Sequence, residues 1–161
     1  IGLGLASPFI GWLSNKIERR SPPMTLCSAI GLVCSLILFY VPNITFVHSF
    51  ILLFGIGMAS SGQILSFALI KDNNRPSITG TAIGLNNMAV VAGGAIFQPL
   101  VGFLLQFFWT GTRDGLGVPT YSIQNYHLGL TIVPICFFVG LICSFFFIKE
   151  THCRPKYDTL F

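Results

Sequence analysis

The chain has 161 residues, 53 % of them hydrophobic and 9 % charged, with a formal charge of +4, whereas a soluble domain carries about 25 % charged residues. That composition, with a mean hydropathy of +0.77, excludes an ordinary soluble enzyme or binding domain and belongs in a bilayer. All nine Lys and Arg and all five Asp and Glu fall outside the long apolar runs; the basic residues are divided among the flanking loops, which favours a topological role over nucleic-acid binding.

Residues 1–14 are apolar but fewer than the about 20 that a crossing helix needs. Because the stretch opens on Ile1 and not on Met, it is read as a helix cut by the start of the sequence. A cleaved signal peptide is the alternative, disfavoured because no basic segment precedes the stretch and a basic one follows it. Apolar runs then cover 24–41, 46–70, 78–108 and 127–148, each long enough to cross. Pro22 and Pro23 open the first of these, Pro42 closes it, and the polar run Lys71 to Pro76 separates the second from the third. Continuous hydrophobicity without alternation excludes barrel strands. The expected fold is an all-α integral membrane bundle with one partial and four full transmembrane helices, and residues 149–161 as a tail.

Lys plus Arg in successive loops number three (Lys16, Arg19, Arg20), none, two (Lys71, Arg75), one (Arg113) and three (Lys149, Arg154, Lys156), so eight of nine lie on one side. By the positive-inside rule that side is the cytoplasm, which places the tail there and the 42–45 and 109–126 loops outside. Asn43-Ile44-Thr45 is a glycosylation sequon, but its loop lies so close to the membrane that it is read as chance. Cys27, Cys34, Cys136, Cys143 and Cys153 form no C-x-x-C pair and have no His at metal spacing, so neither a metal site nor a cofactor is expected. Gly55, Ala59, Gly62 and Ser66 recur every three or four residues, as do Gly80 and Gly84, then Ala89 and Gly93; such small-residue faces let membrane helices approach closely.

Residues 11–20, Gly-Trp-Leu-Ser-Asn-Lys-Ile-Glu-Arg-Arg, resemble the cytoplasmic inter-helix loop of the major facilitator superfamily (MFS). Its pattern is Gly, any three residues, Asp, a basic residue, any residue, Gly and two basic residues. Gly11, Lys16, Arg19 and Arg20 match, while Asn15 stands for the Asp and Glu18 for the second Gly. Two further segments carry the resemblance. Gly80 to Asn87, with Ala92 to Ala95 and Gln98 to Gly102, is similar to the eleventh helix of many such permeases, and Ile148 to Thr151 is similar to the end of their twelfth. The resemblance covers essentially the whole chain and implies a C-terminal fragment of a twelve-helix transporter, from a partial eighth helix to the twelfth. The same loop recurs between the family's second and third helices, so the second through sixth helices are the alternative assignment.

The resemblance implies solute transport by alternating access, with the missing N-terminal half of the same transporter and membrane lipids as partners, in a bacterial inner membrane or, alternatively, a eukaryotic one. It also implies a cytoplasmic gate at Gly11, Asn15, Lys16, Arg19 and Arg20, in which Asn15 keeps hydrogen bonding but removes the family's negative charge. A purely topological role for these basic residues is the simpler alternative. In the membrane interior, Asn86 and Asn87 lie about 14 Å from the cytoplasmic end and Gln63 about 10 Å, with Gln98 nearer the outer end. Amides at that depth are candidates for a substrate cavity, with interhelical hydrogen bonding as the alternative. No Asp, Glu or His lies mid-span, so a proton-coupling group lies elsewhere or the carrier is not proton-coupled; the same lack argues against a membrane hydrolase. Without a charged ring or filter-like loop a channel is disfavoured. A non-transporting sensor or scaffold of the same fold remains the competing class, favoured only by Asn15.

Overall fold

A computed structural model describes residues 1–157, so the tail is described to Tyr157 and residues 158–161 lie outside the described residues. The helices are α1 (Gly2–Ile17), α2 (Ser21–Tyr40), α3 (Phe46–Ala59), α4 (Ile64–Asn73), α5 (Pro76–Phe107), α6 (Ile123–Leu130) and α7 (Ile132–Ile142). A 3₁₀ turn, Ser60–Gln63, joins α3 to α4, and a π turn, Cys143–Phe147, extends α7. Four stretches are long and apolar enough to cross a membrane: Ser21–Tyr40, Phe46–Asn73, Pro76–Phe107 and Ile123–Phe147.

Local chemistry sets the breaks. α2 starts at Ser21, ahead of its apolar run, because Pro22 and Pro23 occupy a first turn whose N–H groups lack helical partners anyway. α1 ends where Glu18 takes the left-handed conformation (φ 53°); its N–H donates to the Asn15 carbonyl at 3.3 Å and the Arg19 N–H to the Ser14 carbonyl at 3.2 Å. This is a Schellman stop. Between α3 and α4 the hydroxyls of Ser60, Ser61 and Ser66 donate back to the carbonyls of Ile56, Met58 and Gln63 at 2.9, 2.6 and 2.6 Å, a pattern that perturbs the regular ladder. The break between α6 and α7 precedes Pro134, which has no N–H for the Leu130 carbonyl.

α2 lies at the centre, packed on α3 and α7, and α1 packs on α3. Close approach is made through glycines: a Cβ at Gly62 would stand 2.9 Å from the Cys27 Cβ and one at Gly55 3.0 Å from the Cys34 Sγ, while one at Gly31 would overlap the Phe137 ring. Ala59, in the same stripe, is buried. Gly80, Gly84 and Gly93 differ, because a Cβ at any of them meets nothing within 4 Å. The packing expected of that α5 face is therefore not made among the described residues; α5 packs chiefly on α4 at one end and α6 at the other. The buried apolar cluster of Ile10, Cys27 and Leu65, with Met24 against it, joins α1, α2 and α4 just beneath the end that carries most of the basic residues.

Candidate functional site

At this basic end the α1 stop turns the chain so that Arg20 precedes α2 and points back over α1. Its Nη1 donates to the Asn15 Oδ1 at 2.7 Å and the Ser14 Oγ at 3.2 Å, and its Nε donates to the Asp72 Oδ2 at 3.1 Å. Arg20 is 9 % exposed and Asp72 5 %. Two charges so desolvated are tolerable as a pair with further hydrogen bonds around them, and Ser14, Asn15 and Thr151 supply some of those partners. The Thr151 hydroxyl donates to the same Asp72 Oδ2 at 3.2 Å.

Glu150 closes the other side. Its carboxylate accepts the backbone N–H of Arg20 at 2.8 Å and of Ser21 at 3.0 Å, capping α2, where a negative charge faces the positive end of the helix dipole. It also accepts the N–H groups of Thr151 at 3.0 Å and His152 at 3.2 Å. Burial alone pushes the Glu150 carboxyl up, but these four donors outweigh it and hold it below the ordinary carboxylate value. The loop after α1, the start of α2, the end of α4 and the segment after α7 are thus tied together by one guanidinium and two carboxylates.

Of the loop residues singled out in the sequence, Asn15 and Arg20 enter this network. Gly11 lines a recess of about 380 Å³ beside Asn15, Arg20 and Asp72. Lys16 lies over the Trp12 ring, 4.8 Å from its centroid, and Arg19 is exposed. Glu18 is exposed as well; it contributes its backbone conformation and not its charge. Sequence reasoning missed Asp72, Ser14 and the role of Glu150. The available signal was scarcity: with only five acidic residues, each one at a membrane boundary is a candidate partner for the surplus of basic side chains.

Mid-span, α2, the 3₁₀ turn, α5 and α7 part around a cavity of about 740 Å³, lined by Gln63 and Gln98 together with Cys27, Phe97, Cys136 and Phe137. That volume is typical of small-molecule sites. Neither glutamine amide is hydrogen-bonded to another described residue, so both are free to donate and accept toward an occupant. The structure does not bring all four amides together: Asn86 Nδ2 donates to the Ser66 Oγ at 3.0 Å, linking α5 to α4, and Asn87 is exposed but is not part of the cavity wall. Apart from thiols no ionisable group lines the cavity, so this wall offers hydrogen bonding and apolar contact, not proton transfer. Among the described residues no cluster of His, Cys, Asp and Glu is placed to hold a metal ion.

The family model described as Major Facilitator Superfamily matches residues 1–156. No curated protein and no solved structure matches the chain.

Proposed function

Since the chain belongs to the Major Facilitator Superfamily, a family of multi-pass membrane transporters, we propose that it forms part of a carrier that moves a small organic solute by alternating access. The observation that carries this reading is the Arg20–Asp72–Glu150 network, because a gate must be held by contacts that can be broken and remade. A buried ion pair is suited to such a gate because its Coulombic gain and its desolvation cost nearly cancel, so parting the helix ends and wetting the groups requires little net free energy. Asn15 leaves the gate without the carboxylate usual at its position, and Asp72 supplies one from α4. This favours a carrier over a non-transporting sensor.

In this reading the basic end is cytoplasmic, following the positive-inside rule. Gln63 and Gln98 bind polar groups of the solute on one wall of its path. The open Gly80, Gly84 and Gly93 face of α5 receives the other half of a twelve-helix protein. The chain then supplies the partial eighth through twelfth helices. The test is uptake by the full-length protein in proteoliposomes across a panel of neutral and charged organic solutes. Saturable flux that falls in Arg20→Gln is expected; a correctly inserted protein with no flux for any solute would overturn the carrier reading.

A further inference from the structure

The segment after Glu150 is more than a trailing end. Running along the basic end without forming a helix or strand, it takes footholds on three helices in turn. Thr151 Oγ1 donates to Asp72 Oδ2 at 3.2 Å, the Cys153 thiol to the Ser14 carbonyl at 3.5 Å, and the Lys156 N–H to the Asp72 carbonyl at 2.8 Å. At the start of α5, the Arg75 guanidinium lies 5.6 Å from the centre of the Tyr157 ring.

Two features make this attachment releasable. The footholds are few and most of the segment is exposed, with Arg154, Pro155 and Lys156 in solvent, which is the profile of a unit that opens locally. His152 and Cys153 also both sit at positive φ, 52° and 54°, a conformation that side-chain-bearing residues avoid and keep only where surrounding contacts impose it. Once Ser14 and Asp72 part, those contacts are lost and the turn relaxes.

We propose that residues 151–157 form a releasable strap, which clamps the ends of α1, α4 and α5 to the segment after α7 and detaches when those ends separate. The docking of the strap stands on its own contacts, and its release rests on the alternating-access reading above.

The test is the rate at which a maleimide-polyethylene glycol modifies Cys153 in the detergent-solubilised full-length protein, with Cys153→Ser as the background. In the folded protein, modification is expected to be at least about fivefold slower than in dodecyl sulfate, the protection that one hydrogen bond of ordinary net worth confers. Thr151→Val removes only the hydroxyl bond to Asp72 and is expected to recover most of that factor. Arg20→Gln loosens the Arg20–Asp72 pair without altering a strap residue and should also accelerate modification. Equal rates in folded and unfolded protein, or a wild-type rate in both variants, would overturn the strap. Acceleration in Thr151→Val alone would leave a docked tail that does not answer the Arg20–Asp72 pair, overturning its release. These rates require no solute, so a protein that protects Cys153 yet shows no flux rejects transport and leaves the docking intact.

Discussion

At the basic end the Arg20–Asp72 ion pair and the Glu150 carboxylate, held by backbone N–H groups, draw four chain segments together, whereas mid-span the helices separate around a cavity with only neutral amides, hydroxyls and thiols for polar groups. The two regions differ in their depth along the helices, one at the ends of the spans and the other between them. A charge at a membrane boundary can be hydrated whenever the helix ends part, so an ion pair there can open and close. A charge at the bilayer centre costs several kcal/mol, so polar recognition in the interior is left to groups that need no counter-ion. The protein thus keeps its charges out of the long apolar runs, gathers most of them at the end where we propose gating and builds its cavity from neutral side chains.

The sharpest way to break this contrast is to remove the acid of the buried pair. Asp72→Ala leaves the Arg20 guanidinium without its carboxylate, and denaturant or thermal unfolding of the full-length protein should report a loss of about 3–5 kcal/mol. Replacing both partners by apolar residues, Arg20→Met with Asp72→Leu, should restore most of that loss while leaving the end unable to open reversibly. Wild-type stability in Asp72→Ala would mean that the pair is hydrated and does not act as a lock.

A smaller effect is expected where the two regions meet on α2. Gly62→Ala brings a Cβ to 2.9 Å from the Cys27 Cβ and should cost about 1–3 kcal/mol through overpacking, read by the same unfolding assay. Cys27→Gly in the same chain should relieve part of it.

Acidity separates the regions further, because the cavity has no carboxylate to titrate. Glu150 is held below its ordinary value of 4.5, with its four N–H donors outweighing the upward push of burial. Its stabilisation is complete above that unfolded value and is lost as the pH falls through the lower folded value. Melting temperatures measured from neutral pH downward should therefore decline more steeply below about pH 4.5 in the wild type than in Glu150→Gln.

The smallest effects on stability belong to the cavity. Gln63→Ala and Gln98→Ala should each change unfolding free energy by no more than about 0.5 kcal/mol, since neither amide is bonded to another described residue. Each should raise the KM for a carried solute about fivefold, the worth of one hydrogen bond. A large loss of stability with an unaltered KM would assign these amides to packing.

Much of this architecture is legible in the sequence because its causes are local. Apolar runs of sufficient length, the Pro22-Pro23 start of α2 and the small residues facing Cys27 and Cys34 are properties of neighbouring residues and of helical spacing. Sequence alone therefore determined a basic-flanked, all-helical membrane chain and its family resemblance, and it offered Arg20 only as one of five candidate loop residues. It did not determine what Arg20 holds, because its partners Asp72 and Glu150 stand 52 and 130 residues away and nothing in the spacing of charges selects one acid over another. Nor could it tell that Gln63 and Gln98 share a cavity while Asn86 bonds Ser66, since amides within the span are alike until helix rotation and packing aim them. Those choices belong to the tertiary structure, where the fold brings distant side chains within hydrogen-bonding distance and the low dielectric penalises every polar group left without a partner.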